Sequence, residues 1–118
     1  MQMAEDFAVR VFHYCNELDS KNQFLMSKQL FRSGTSIGAN IAEAQNAESL
    51  PDFVHKFKIA AKEIDESAYW LRICKRVNLM QSESTLHSDL MNVNKVVSKI
   101  LSTSKKKMIQ VKKGNLSN

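Results

Sequence analysis

Apolar residues recur along this chain at the three- and four-residue intervals of an amphipathic helix, in four segments separated by short polar stretches. The first segment covers about residues 4–18 and has an apolar stripe at Phe7, Val11, Cys15 and Leu18. The last covers about residues 83–102, with the alternating spacing of a bundle seam at Leu86, Leu90, Val93, Val97, Ile100 and Leu101. Because helices joined by short connections pack antiparallel, the sequence predicts an all-α fold, an antiparallel up-down-up-down four-helix bundle.

The starts of the two middle helices can be read from capping residues. Ser27 is placed to cap a helix that continues to about residue 47. The run Ser49-Leu50-Pro51-Asp52 combines a capping serine, a proline in the first turn and an acid three residues after the serine, which predicts a third helix over residues 51–76. We therefore expect the bundle to occupy residues 1–104, followed by a basic, flexible tail at residues 105–118. The alternative is that the last helix extends through the lysines of this tail.

Helix two contains an unusual run of small residues between Arg32 and Ala44. Gly34-x-Ser36-x-Gly38 satisfies the pattern of a hydrolase nucleophile elbow, which requires a sharp turn between a strand and a helix, and no strand-like run precedes it. On a helix, Gly34, Gly38 and Ala42 instead lie beside the apolar face of Leu30, Ile37, Ile41 and Ala44. The packing interpretation predicts a groove that another helix can approach closely; hydrolase activity at Ser36 is the alternative.

Short motifs in helices two and three resemble a known family. They are Ser36-Ile37-x-x-Asn40-Ile41-x-Glu43, Asp52-Phe53, Lys58-Ile59-Ala60 and Glu66-x-x-Tyr69-Trp70-Leu71. The chain resembles, over about residues 5–103, the four-helix-bundle proteins encoded in intervening sequences of bacterial 23S rRNA genes, also called S23 ribosomal proteins, which are similar to the accessory variability protein of diversity-generating retroelements. The resemblance implies assembly into a homopentamer, no enzymatic activity and a role in binding nucleic acid.

The composition fits a helical protein of the cytoplasm. One proline and three glycines in 118 residues are too few for a turn-rich β fold. Cys15 and Cys74 are far apart in the sequence and form no CxxC pair, so we expect reduced thiols rather than a zinc site or a disulfide. Neither a signal peptide nor an apolar run of about 20 residues is present, and we expect a cytoplasmic protein with no membrane partner.

Patterns typical of catalysis or metal binding are missing from the sequence. The Glu-x-x-His motifs of di-iron bundles do not occur, and the nearest match is Asp52-x-x-His55. The carboxylates of Glu43, Glu63 and Glu66 are accompanied by neither a histidine base nor a glycine-rich phosphate loop. We therefore expect no catalytic residues, no metal and no cofactor, and predict that the protein is not an enzyme.

The net charge of +5 is concentrated at the C-terminal end. Residues 90–118 contain seven lysines and no acid, whereas all 12 acidic residues precede them. A polyanion such as RNA or DNA is attracted to such a segment by charge neutralisation, and we assign Lys105, Lys106 and Lys107 to a candidate nucleic-acid site. The alternative is that the lysines are simply solvated.

Helix three has three distinct faces when its residues are placed at 100° intervals. The predicted core face is Phe53, Phe57, Ala60, Ile64 and Leu71. On the far side, Ile59, Glu63, Glu66, Trp70, Ile73 and Val77 form a mixed stripe that a monomer is expected to leave largely exposed. An exposed apolar stripe with an aromatic anchor is typical of a subunit contact, so we predict an oligomer interface at Ile59, Glu66, Trp70 and Ile73. The alternative is packing under a loop or against helix one.

Between these two faces lies a third group, which we call the basic arc: Lys58, Lys62, Tyr69, Arg72 and Arg76. Cations that contact phosphates and a ring that stacks on an unpaired base are typical of RNA binding; an ordinary solvated helix face is the alternative. On helix two, Ser36, Asn40 and Glu43 form a polar stripe. We predict a structural hydrogen-bonding role for this cluster, with Lys62 or a neighbouring subunit as a partner.

Two functions are consistent with these patterns. The first is a non-enzymatic homo-oligomer that binds RNA or DNA through the basic arc and the lysines of the tail. The second is a scaffold for a protein partner, such as a reverse transcriptase, without direct binding of nucleic acid, as the similarity to the retroelement accessory protein suggests. Binding through phosphates weakens steeply as salt rises, whereas an apolar protein interface changes little.

Overall fold

The computed structural model describes the backbone of residues 1–117 and the side chains of residues 1–114. It contains four helices, α1 (Gln2–Ser20), α2 (Phe24–Ala44), α3 (Leu50–Arg76) and α4 (Leu86–Ser117), and no strand within the described part of the chain. α2 packs between α1 and α3, and α4 packs against α3 and α1. Each helix therefore has two neighbours, and the predicted all-α four-helix bundle is confirmed.

The apolar stripes read from the sequence form the core. Phe7, Val11 and Leu18 of α1 and the seam residues Leu90, Val93 and Val97 of α4 are fully buried or nearly so. On α3, Phe57, Ile64 and Leu71 are buried, and Phe53 is half-buried at the edge of the core. Burial of side chains of this size contributes about 1.5–3 kcal/mol each relative to exposure, so the four stripes hold the bundle together.

The start of α3 is confirmed and the cap predicted for α2 is wrong. The Ser49 hydroxyl accepts a hydrogen bond from the backbone N–H of Asp52 at 3.2 Å. α2, however, begins at Phe24, because Asn22 adopts a positive φ of 61° and turns the chain immediately after α1. Ser27 is thus inside the helix and buried, where its hydroxyl donates to the carbonyl oxygen of Cys15 at 3.3 Å.

The small residues of α2 admit α1, as the packing interpretation predicted. A Cβ at Gly34 would lie 3.0 Å from Cγ1 of Val11, so α1 passes very close to this point. At Gly38 the nearest atoms belong to Ala4 at 3.7 Å, an ordinary contact distance. Ala42, one turn further along, is exposed and takes no part in the groove. Because the whole segment is one continuous helix, the strand-to-helix turn of a nucleophile elbow is absent there.

The loop before α4 is tied to α1 by polar contacts. The Arg10 guanidinium donates to the Thr85 hydroxyl at 2.7 Å and forms an ion pair with Asp89 in the first turn of α4. Tyr14 donates its hydroxyl hydrogen to the carbonyl oxygen of Leu79 at 2.8 Å. These contacts fix the position where α4 begins, slightly later than predicted.

α4 extends beyond the predicted end of the last helix at about residue 102 and continues through the lysines of the predicted tail, which was the alternative to a flexible tail. Residues 105–113 are Lys, Met, Ile, Gln and Val, which are compatible with a helix and include no glycine or proline. The molecule is accordingly elongated, 62 × 22 × 21 Å. The flexibility expected for the tail stays a prediction, and the side chains of residues 115–118 lie outside the described part of the chain.

Candidate nucleic-acid interface

Three polar contacts establish which side of α3 faces α2. They are the hydrogen bond between the hydroxyls of Ser67 and Ser33 at 2.9 Å, the ion pair of Arg32 with Glu63 at 3.3 Å, and the ion pair of Lys56 with Glu43 at 2.9 Å. All three α3 residues lie to one side of the buried core stripe. Since α3 packs between α2 and α4, residues on the other side of this stripe lie toward α4.

The basic arc occupies the outward side of α3, roughly opposite the buried core stripe. Lys58, Lys62, Arg72 and Arg76 are all exposed, and the Tyr69 side chain is half exposed. The guanidinium carbon of Arg72 lies 5.9 Å from the centroid of the Tyr69 ring, within cation–π range. Asp65 is an exposed acid that interrupts the arc. The arc is therefore one accessible surface with an aromatic ring at its centre.

α4, which packs against α3, carries further exposed lysines. Lys95, Lys106 and Lys113 recur at intervals of 11 and 7 residues, which places them on one outward stripe of the helix. All seven lysines after Asp89 are exposed: Lys95, Lys99, Lys105, Lys106, Lys107, Lys112 and Lys113. We call the basic arc together with these lysines the basic face. Sequence reasoning missed Lys95 and Lys99 as site residues; the absence of acids from residues 90–118 was the signal for them.

The stripe predicted as an oligomer interface is less exposed than expected. Ile59, Glu66, Trp70 and Ile73 are all half-buried. Arg32 of α2 pairs with both Glu63 and Glu66 and so covers the acidic part of the stripe. Trp70 packs against the core, and its Nε1 is buried without an acceptor among the described residues. The expectation of a largely exposed stripe is thus wrong, because α2 lies over it, and its role in self-association stays a prediction.

The polar cluster of α2 consists of local structural contacts. The Ser36 hydroxyl donates to the carbonyl oxygen of Arg32 at 2.5 Å, and the Asn40 amide donates to the carbonyl oxygen of Ser36 at 2.8 Å. Glu43 accepts a hydrogen bond from Lys56, which raises the pKa of that lysine. Glu43 thus pairs with Lys56 and not with the predicted Lys62, which is exposed on α3; a neighbouring subunit as a further partner stays a prediction.

A second exposed surface was not predicted from the sequence. Phe12 of α1 and Phe24 and Phe31 of α2 are 48%, 59% and 43% exposed, and the rings of Phe12 and Phe31 meet edge to face at 6.4 Å. We call these three residues the aromatic surface. Its signal in the sequence is that Phe24 and Phe31 are two turns apart, on a side of α2 that its buried stripe does not include.

The remaining chemical groups offer no reactive centre in the described part of the chain. Cys15 and Cys74 are buried free thiols, and burial raises the pKa of Cys15 to about 11. Among residues whose side chains are described, no three His, Cys, Asp or Glu groups are placed to share a metal ion. None of the helices over this same region combines the length and apolar composition that a bilayer span requires.

Comparisons with known proteins agree with this fold. A family model described as 23S rRNA-intervening sequence protein matches residues 1–103. A solved structure of a protein with unknown function from the S23 ribosomal protein family of Bacteroides thetaiotaomicron VPI-5482 is 40% identical, with a TM-score of 0.82, over 85% of this chain and 95% of that chain. A search of curated proteins found no match. The resemblance to the S23 family is confirmed, and the similarity to the retroelement accessory protein stays a prediction.

Proposed function

The chain belongs to the 23S rRNA-intervening sequence protein family, and we propose that it is a non-catalytic, homo-oligomeric protein that binds RNA through its basic face. The observation that carries the proposal is the presence of two sets of exposed cations on adjacent helices. The basic arc lies on the outward side of α3, and α4, which packs against α3, presents exposed lysines over its C-terminal half. Binding energy on such a surface comes mainly from neutralising phosphates.

The dimensions of the basic face suit a polynucleotide. Lys95 and Lys113 are 18 positions apart on one helix, which corresponds to about 27 Å at a rise of about 1.5 Å per residue. Several successive phosphates can contact cations along that length. An extended line of charge favours a polymer over a small anion, for which a compact cluster is sufficient.

Tyr69 favours RNA with unpaired bases as the ligand. Its half-exposed ring lies among the cations and beside Arg72. Sequence-tolerant stacking of a base on an aromatic ring contributes about 1–3 kcal/mol, and single-stranded loops are the parts of RNA that present bases for stacking. A fully paired duplex offers phosphates alone, so it is expected to bind the cations without using Tyr69.

The proposal is tested by binding an RNA hairpin with a single-stranded loop, measured by fluorescence anisotropy over a series of salt concentrations. Lys62→Glu should weaken binding and reduce the log–log salt slope by about 0.7–0.9. Lys21→Glu makes the same change of charge in the exposed turn between α1 and α2 and is the matched control. The proposal is overturned if the two variants are equivalent, or if the unmodified protein does not bind RNA at low salt.

Tyr69→Ala separates stacking from charge. It should weaken binding of the hairpin while leaving the affinity for a fully paired duplex unchanged. Equal loss for both RNAs would contradict the stacking role and leave only the phosphate contacts.

The aromatic surface supports a second candidate function, a scaffold for a protein partner. Exposed phenylalanines are typical of protein interfaces, and these lie on the α1–α2 side of the bundle, away from the basic face. A partner bound there should show little dependence on salt, which distinguishes this function from RNA binding.

A further inference from the structure

A cleft of about 630 Å³ lies at the end of the bundle where α2 finishes and α3 begins, beside α4. We call it the α3–α4 cleft. Its apolar lining comes from all three helices and includes Ala44, Leu50, Phe53 and Ile100. Clefts of about 300–1,000 Å³ with a mainly apolar lining and a few polar groups are typical of sites for small molecules. No residue of the basic arc is among the described residues that line this cleft, so the two features are separate.

Ser104 of α4 contributes a polar group without a partner to the α3–α4 cleft. Among the buried serines of the described chain, Ser27, Ser33 and Ser67 all use their hydroxyls in hydrogen bonds. Ser104 is 7% exposed and lines the cleft, but its hydroxyl has no hydrogen-bond partner among the described residues. Because buried hydroxyls are nearly always hydrogen-bonded, this group calls for a partner that enters from the cleft.

The charge around the α3–α4 cleft indicates the sign of that partner. Lys99 and Lys107 line the cleft and are exposed, and no acid lines it among the described residues. Three acids adjoin lining residues in the sequence: Glu43, Glu48 and Asp52. They lie outside the lining, and the first of them is already paired with a lysine of α3. Two cations without an acid between them favour a negatively charged ligand.

The apolar lining indicates the rest of the ligand. A simple anion would satisfy the lysines but would leave the half-buried side chains of Leu50, Phe53 and Ile100 uncovered. A purely apolar molecule would cover these side chains but would leave the hydroxyl of Ser104 without an acceptor. A molecule with an anionic head and an apolar body meets both conditions. Most of the apolar lining is aliphatic, which favours an aliphatic body over an aromatic one.

We propose that the α3–α4 cleft binds a small amphipathic anion, a carboxylate with an aliphatic chain of the fatty-acid type. The carboxylate accepts a hydrogen bond from Ser104, and its charge is balanced by Lys99 and Lys107. The aliphatic chain packs against Phe53 and Ile100. This site goes beyond the proposed binding of RNA, and it requires neither the basic arc nor self-association.

The test is isothermal titration calorimetry of the full chain with octanoate at neutral pH. Octanoate should bind saturably with one site per chain. Octanol has the same chain length without the charge, and acetate has the charge without the chain, so both should bind at least about tenfold more weakly. The proposal is overturned if octanoate does not bind, or if octanol or acetate binds as well as octanoate does.

Variants of α4 locate the site. Ser104→Ala removes the hydroxyl without adding bulk and should weaken octanoate binding roughly tenfold, since hydrogen bonds to charged groups are among the stronger ones. Lys107→Gln should weaken binding by about two- to fivefold. Lys95→Gln makes the same change of charge at an exposed position of α4 outside the lining and is the matched control. Equal affinities for Lys107→Gln and Lys95→Gln, or an unchanged affinity for Ser104→Ala, would place octanoate elsewhere and overturn the proposal.

Adenosine monophosphate tests the nearest alternative, an anion with an aromatic body. If it binds in a manner sensitive to Ser104→Ala and octanoate does not bind, the cleft is a nucleotide site and the fatty-acid proposal fails. Lys62→Glu, the variant that tests RNA binding, should leave the affinity for octanoate unchanged. Loss of RNA binding and loss of octanoate binding therefore arise from different substitutions, and either proposal can fail without the other.

Discussion

Ser67 of α3 donates a hydrogen bond to the hydroxyl of Ser33 on α2 at 2.9 Å, and both side chains are fully buried. Ser33 in turn donates to the carbonyl oxygen of Leu30 at 3.4 Å. The two serines thus satisfy each other inside an otherwise apolar interface. A slip of one helix along the other would leave buried hydroxyls without partners, so the pair favours one register of α2 on α3.

We expect the two serines to be energetically coupled. Ser33→Ala leaves the hydroxyl of Ser67 buried without its acceptor and should cost about 1–3 kcal/mol of the free energy of unfolding. The double variant, with both serines replaced by alanine, should cost less than the sum of the two single variants, by at least about 0.5 kcal/mol. Urea unfolding of the four proteins measures this coupling, and additive costs would contradict it.

The two glycines of α2 should respond differently to added side chains. Gly34→Leu forces atoms into the space held by Val11, 3.0 Å from an added Cβ, and overpacking of this kind costs about 1–3 kcal/mol. Gly38→Ala adds a Cβ at ordinary contact distance from Ala4 and gains helix propensity of up to about 1 kcal/mol. Thermal unfolding should therefore show Gly34→Leu below, and Gly38→Ala at or above, the unmodified melting temperature. The reverse order would refute close packing of α1 at Gly34.

Trp70 provides the test of the predicted α3 contact. Trp70→Glu places a charge in the half-buried stripe beside Ile73 and should reduce the oligomeric mass measured by light scattering while helical circular dichroism persists. Trp70→Phe keeps an aromatic ring and removes the buried Nε1, which has no acceptor among the described side chains and backbone, so it should retain the mass. An unaltered mass for Trp70→Glu would exclude this stripe as a subunit contact.

Stability should decrease at alkaline pH. Burial raises the pKa of Cys15 from 9.0 to about 11, and burial also raises the pKa values of Tyr14 and Cys74. Above about pH 9 the unfolded chain releases the Cys15 proton while the folded chain retains it, so the stabilisation present below pH 9 is lost as the pH rises toward about 11. Urea unfolding at pH 7, 9 and 11 measures this loss, and Cys15→Ala should make the decrease shallower. A free energy of unfolding that stays constant up to pH 11 would contradict the expectation.

The sequence predicted the core and missed features that depend on which helices are neighbours. The helical spacing of Leu90, Val93 and Val97 was sufficient to place the seam of α4, because burial follows periodicity directly. Ser33 and Ser67 could not be paired in advance, since their contact depends on the register between two helices. The start of α2 was misplaced for a local reason. The turn before it depends on a positive φ at Asn22, and an asparagine indicates such a conformation less clearly than a glycine does.

In the candidate site, too, features within one helix were predictable from the sequence, whereas features that depend on packing between helices were not. The basic arc was visible from the 100° spacing of α3, but the packing of α4 and its lysines against the same helix depends on the order of helices around the bundle. The half-buried state of Trp70 depends on α2 lying over the stripe, with Arg32 paired to Glu66. Exposed Phe12, Phe24 and Phe31 come from two helices, and their proximity is a property of the tertiary structure.

Because α4 is continuous, its C-terminal arm, residues 105–114, has an orientation that is determined by the part of the helix inside the bundle. No break separates Val97 in the core from Val111 in the arm, so the direction in which the arm presents its side chains is set by packing inside the bundle. Inserting or deleting residues between them would rotate the arm about the helix axis by about 100° for each residue. A change of seven residues would return the arm to within about 20° of its original direction. The number of residues in the helix therefore determines both how far the arm extends from the bundle and the direction in which its side chains point.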